Sequence, residues 1–277
     1  MKQMLRMAAV CIGLLLVIAL PVSAAEYGAP EITPKTTMKQ LRENPSIKGS
    51  GLYTYVYIWE RDCDLLRHSK DNDTMEQVIG TESVNSCVAG MNYLIETYNA
   101  GTQITYKLFS PEEIAQDASR DRAELYYFPA EQPGAKYAVV LSGNALFYSG
   151  EMRGGVSTAW ELHQQGYAVF ALRYRIGLDA TDNAPLEDLG RAIQFITANA
   201  QQFGVQTEDY ALVGYSSGGQ IAGIFGGKKL GYPNYGVPKP GALLLAYPIN
   251  NFYETKPLYH VLLDTDALER RYYDYNI

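Results

Sequence analysis

The stretch Tyr210-Ala211-Leu212-Val213-Gly214-Tyr215-Ser216-Ser217-Gly218-Gly219-Gln220-Ile221-Ala222 decides how this 277-residue chain is read. Ala211, Leu212 and Val213 make the contiguous apolar run of a strand buried on both faces, and Gly219-Gln220-Ile221-Ala222 opens a helix directly behind it. Between them, Gly214-Tyr215-Ser216-Ser217-Gly218 matches G-x-S-x-G. In that motif a serine sits on a tight strand-to-helix turn with its hydroxyl projecting from the sheet. The turn is strained and leaves no room for side chains two positions to either side, hence the two glycines. Ser216 is therefore the candidate nucleophile. Ser217 starts the helix, so its backbone N–H has no acceptor within the helix and is a candidate donor to the oxygen of a tetrahedral intermediate.

Working outward, short apolar runs alternate with helical segments from residue 103 onward. Strands are expected at 103–108, 124–128, 137–141, 167–172, 210–215 and 242–247, with helices at 156–165, 186–199 and 218–225. This alternation specifies an α/β fold, a mostly parallel sheet with helices on both faces. The loop after the strand at 137–141 reads Ser142-Gly143-Asn144-Ala145, and the backbone N–H groups of Gly143, Asn144 and Ala145 are the natural second oxyanion donors in such a topology.

The N-terminus carries Lys2 and Arg6, an apolar run from Met7 to Leu20, then Pro21-Val22-Ser23-Ala24-Ala25, the pattern of a cleaved export signal over residues 1–25. The run is shorter than the ~20 residues that span a bilayer, so no membrane association is expected after cleavage and the protein is expected to be secreted or extracytoplasmic. Residues 26–50 lack periodicity and read as a flexible leader, and 51–102 as an N-terminal helical extension. Within it, 52–59 has strand composition and Asp73-Thr74-Met75-Glu76 resembles a capping box. Val84, Cys87, Val88, Met91, Leu94, Ile95 and Tyr98 recur at three and four before Gly101, the signature of a helix with a core-facing side. Cys63 and Cys87 remain after cleavage, and a disulfide between them is left open. Their spacing is not that of a zinc site.

The formal charge of -7 argues against electrostatic binding to nucleic acid or anionic membranes. Gly226-Gly227-Lys228-Lys229 lacks the Ser or Thr and the first glycine of a phosphate loop. No metal or organic cofactor is implied. The 23 tyrosines are assigned first to strand packing and second to a carbohydrate or protein surface.

Several landmarks fall in order: Gly166-Tyr167-Ala168-Val169, Leu172-Arg173-Tyr174-Arg175, Pro185 with Asp188 and Ala192, Asn199-Ala200, the Ser216 motif, and Leu245-Ala246-Tyr247-Pro248. On these, residues 137–250 resemble the esterase/lipase branch of the α/β-hydrolases, close to hormone-sensitive-lipase-like and feruloyl or acetyl esterase-like proteins. The resemblance implies acyl transfer from a small-molecule or carbohydrate-linked ester to Ser216, followed by hydrolysis. Members of this branch carry His-Gly-Gly-Gly or Pro-Gly-Gly-Gly where this chain has Ser142-Gly143-Asn144-Ala145. They also place an acid and a histidine after the nucleophile, beyond two further strands. His260, Asp264 and Asp266 lie too early for those roles, and His163 and His68 precede the nucleophile. The expectation is thus of an incomplete hydrolase domain over 103–277 whose last strands are missing. A catalytically inactive binding protein on the same fold is the alternative.

Overall fold

The computed structural model describes residues 31–52, 69–143, 150–180 and 183–250. The expected strand at 52–59 lies almost wholly outside them, as do Cys63, Asn144, Ala145, His68 and His260. The described strands are β1 (Thr105–Lys107), β2 (Glu124–Phe128), β3 (Tyr137–Leu141), β4 (Ala168–Arg173), β5 (Ala211–Tyr215) and β6 (Ala242–Ala246), in spatial order β1-β2-β4-β3-β5-β6. β2 runs antiparallel to both β1 and β4, while β4, β3, β5 and β6 are mutually parallel. Every residue of β2, β3 and β4 is buried, the state that unbroken apolar runs indicate in a sheet covered on both faces.

The helices are α1 (Met38–Glu43), α2 (Pro45–Ser50), α3 (Met75–Ile79), α4 (Val84–Asn99), α5 (Pro111–Gln116), α6 (Ser157–Gln164), α7 (Ala184–Ala198), α8 (Ala200–Phe203) and α9 (Ser217–Gly226). Strand alternation sends Tyr137, Val139, Leu141, Phe170, Leu172 and Leu212 to one face, where Leu189, Ile193 and Ile196 of α7 and Ile221 and Phe225 of α9 meet them. Ala138, Val140, Val169 and Val213 point to the other face, against Cys87, Met91 and Leu94 of α4 and Ala159 of α6. The tyrosines on these strands are structural. Tyr126, Tyr137 and Tyr210 are fully buried, and Tyr137 and Tyr210 stack at 5.2 Å.

The N-terminal segment corrects two expectations. Residues 38–50 are not a flexible leader: they form α1 and α2, and Met38, Leu41 and Ile47 are buried in the α4 face of the core. The capping box of α3 is one residue later than expected, with Thr74 as N-cap and Gln77 as its reciprocal partner. Thr74 wins because its hydroxyl accepts from the Gln77 N–H while Asp73 instead accepts from Lys70. Cys87, whose pairing the sequence leaves open, is a free thiol fully buried on α4. Burial pushes that thiol far above its ordinary range, so it holds almost no thiolate at neutral pH. Alkylation of the native chain, mapped by mass spectrometry to the Cys87 peptide, is expected to be at least about 100-fold slower than after unfolding; comparable rates would contradict this packing.

One expected landmark has a clear physical basis. Arg175, just beyond β4, is 3% exposed and meets the fully buried Asp188 on α7. Its backbone N–H donates to Asp188 Oδ2 at 2.8 Å and its Nε to Oδ1 at 2.9 Å. The pair clamps the exit of β4 to α7, and removing either partner would strand a buried charge.

Candidate active site

β5 ends at Tyr215 and α9 begins at Ser217, leaving Ser216 alone at the junction. Its backbone has φ 48° and ψ -116°, a conformation that costs a non-glycine residue about 1–3 kcal/mol and persists only where its surroundings enforce it. Three backbone bonds do so. The Ser216 N–H donates to Ala246 O at 3.0 Å, and the Ser216 carbonyl accepts from Gln220 N at 3.0 Å and Ile249 N at 3.3 Å. The turn is thus bolted to the end of β6 and to the first turn of α9. Ser216 itself is half-buried.

The flanking glycines are steric necessities. A Cβ on Gly214 would lie 2.4 Å from the Gly218 carbonyl oxygen, and one on Gly218 would lie 2.3 Å from the Leu141 oxygen. The loop after β3 reaches the same point, since a Cβ on Gly143 would lie 2.9 Å from Ser216 Cβ and 2.9 Å from Tyr215 O. The structure therefore brings together Ser216, Ser217 at the start of α9, and Gly143. Asn144 and Ala145, the other candidate donors, lie outside the described residues. Ser217 is fully buried, and its hydroxyl is 3.4 Å from that of Tyr174.

Among the described residues the one histidine is His163, and it is remote. It lies at the end of α6, 4.4 Å ring to ring from Tyr93 and 6.3 Å from Phe128, which pairs with Val169 at the beginning of β4. Ser216 follows the other end of the parallel strands, roughly 16 Å away at 3.3 Å per residue. No cluster of His, Cys, Asp or Glu suited to a metal ion occurs among the described residues. Gly226 and Gly227 close α9 rather than open a helix, the wrong polarity for holding phosphate.

Sequence reasoning missed a buried acidic group on the segment between β3 and α6. The loop after β3 leads into a wide helical turn, Glu151–Val156, that precedes α6, and a Cβ on Gly154 would touch Ser142. Glu151 is 2% exposed. Burial pushes its carboxyl up to about 7, against the lowering influence of Arg173 and Arg122, with Glu124 adding to the rise. Because the folded chain then holds this proton more tightly than the unfolded one, the associated stability is fully present below about 4.5 and is lost as pH rises through about 7. The span is on the order of 3 kcal/mol. Glu151→Gln is expected to flatten that slope in thermal melts between about pH 4.5 and 7.5. Asp188, which burial also raises, to about 6, titrates in both proteins and cancels in the comparison. Parallel melting curves for the two proteins would refute the assignment.

Residues 124–231 match the BD-FAE family model. Together with the strand order, this settles the architecture. The fold is that of an α/β hydrolase. Over 126 residues it is 27% identical to a protein named Endo-1,4-beta-xylanase B from Butyrivibrio fibrisolvens, covering 42% of this chain and 18% of that one. An acetyl ester-xyloside bifunctional hydrolase from Caldicellulosiruptor lactoaceticus superposes with TM-score 0.45 at 19% identity, over 54% of this chain and 58% of that one. Esterase B from Lactobacillus rhamnosis superposes with TM-score 0.45 at 17% identity, over 62% and 54%. The chain thus spans under a fifth of the curated relative and little more than half of these two structures. In the α/β-hydrolase frame, the Ser216 turn lies at the carboxyl end of the parallel strands, where open α/β sheets bind their ligands.

Proposed function

We propose that the α/β-hydrolase domain is a serine esterase that forms an acyl-enzyme on Ser216 from a carboxylic ester. The observation that carries this reading is the strained backbone of Ser216 on a strand-to-helix turn, enforced by three hydrogen bonds. Strain maintained at one half-buried serine has a use in presenting a nucleophile. Ser216 Oγ adds to the ester carbonyl and gives its proton to a general base that is not among the described residues. The N–H groups of Ser217 and of the loop from Gly143 through Asn144 and Ala145 take the oxyanion, the alcohol leaves, and water releases the acid.

The substrate class we favour is a carbohydrate-linked or small acyl ester. Support comes from the BD-FAE match and from the relative named for xylan cleavage, in which the shared segment is a minor part of a larger protein. The export pattern at residues 1–25 fits a polysaccharide substrate met outside the cytoplasm, and N-terminal sequencing of the mature protein tests that placement. For the chemistry, the chain is treated with a fluorophosphonate and its peptides are mapped by mass spectrometry. One adduct at Ser216 is expected, together with hydrolysis of p-nitrophenyl acetate. An adduct elsewhere, or none, overturns the reading.

A further inference from the structure

Leu172-Arg173-Tyr174-Arg175 is explained at Arg175 by the clamp to Asp188, but that clamp gives Tyr174 no task. Tyr174 follows β4 and is 1% exposed, with its ring in the α7 and α9 face of the core. Its hydroxyl donates to the Ser142 carbonyl at 2.8 Å and lies 3.4 Å from Ser217 Oγ. One phenol thus touches the exits of β3 and β4 and the first residue of α9.

We propose that Tyr174 is a positioning residue of the oxyanion pocket, fixing the orientation of the Ser142–Gly143 peptide; this rests on the esterase reading of Ser216. The Ser142 C=O and the Gly143 N–H are opposite ends of one planar trans unit, so holding the oxygen on one side directs the N–H to the other. The oxygen is held inward, bonded to Tyr174 and backed by Gly218, where an added Cβ would lie 2.7 Å from it. A Cβ on Gly143 would lie 2.9 Å from Ser216 Cβ, so this peptide ends against the turn that carries the nucleophile. Glycine at 143 removes the side-chain restraint on that peptide, and the tyrosine hydroxyl restores one. An oxyanion donor is effective only when oriented before the reaction. Loss of the hydroxyl therefore lowers the rate of forming the tetrahedral intermediate while leaving ester binding alone.

The test is Tyr174→Phe, which keeps the ring, measured beside Tyr127→Phe. Tyr127 donates to the Phe203 carbonyl at 2.9 Å within the same face of the core, so that variant loses an equivalent bond away from the site. Tyr174→Phe is expected to lower kcat for p-nitrophenyl acetate about 10- to 100-fold, with KM changed less than about twofold, and to slow fluorophosphonate labelling of Ser216 by a similar factor. Tyr127→Phe is expected to melt as much earlier while keeping wild-type kcat. Equal kcat losses in both variants, or none in Tyr174→Phe, overturn the proposal while leaving the esterase reading intact. A wild-type chain that neither turns over ester nor labels overturns the esterase reading, and the proposal falls with it. Should Tyr174→Phe fail to fold, 2,3-difluorotyrosine at position 174 keeps the bond but acidifies the phenol. Its stronger donation to the Ser142 carbonyl is then expected to change kcat at least about twofold with KM unmoved, and an unchanged kcat counts against the role.

Discussion

Ser216→Ala is expected to reduce ester hydrolysis about 10³-fold or more and to abolish labelling by fluorophosphonate, because no other described hydroxyl occupies the strand-to-helix turn. The fold should survive the change. Alanine keeps a Cβ, so the strained backbone at φ 48° remains as unfavourable as before, and the lost hydroxyl was half-exposed. Ser216→Gly separates the two properties. It removes the same nucleophile but is at ease in that conformation, so it should be equally inactive and more stable than wild type by about 1 kcal/mol, the strain released less the entropy that glycine costs in the unfolded chain. Turnover by either variant near the wild-type rate would move the chemistry away from Ser216. A Ser216→Gly protein that melts earlier than Ser216→Ala would show that the turn stores no strain.

How much of this was legible in the sequence depended on how each element buries its residues. β2 and β3 fall on the expected boundaries, because 124–128 and 137–141 are apolar runs covered on both faces. α4, α7 and α9 shift by one or two residues at their ends, where hydrogen bonding rather than apolar pattern decides. The short helices were hidden for a different reason. α1 and α2 bury only Met38, Leu41 and Ile47 among their apolar residues, too few for a period to show. A readable signal was present in Thr37-Met38-Lys39-Gln40, a capping box closed by the Gln40 side chain. Of the candidate site, Ser216, Ser217 and Gly143 were readable because the G-x-S-x-G turn and the loop after β3 have fixed places in the topology. Tyr174 and Glu151 were not, since nothing in a lone sequence shows that a tyrosine hydroxyl meets the Ser142 carbonyl or that a glutamate is buried.

Gly218→Ala is the stability change expected to be largest. The new methyl would lie 2.3 Å from the Leu141 carbonyl oxygen, 2.7 Å from its carbon and 2.7 Å from the Ser142 oxygen. All three are backbone atoms, so no rotamer change relieves the clash. β3 lies between β4 and β5, and Leu141 is in register with Leu172 on one side and Gly214 on the other, so β3 can yield only by loosening both ladders. The cost should be about 3 kcal/mol or more, equivalent to a melting temperature lower by about 6–12 °C in a domain of this size. Gly219→Ala is a graded comparison. Its methyl would meet Gly214 O at 3.0 Å and Pro248 Cβ at 3.1 Å, contacts that small shifts relieve, so less than half the loss is expected. Melting temperatures for Gly218→Ala within a degree or two of wild type would mean that α9 does not press on the end of β3 as described. Because the atoms displaced by the added methyl belong to Leu141 and Ser142, the loop carrying Gly143 must move with them. The variant should then lose activity at temperatures where it is still folded.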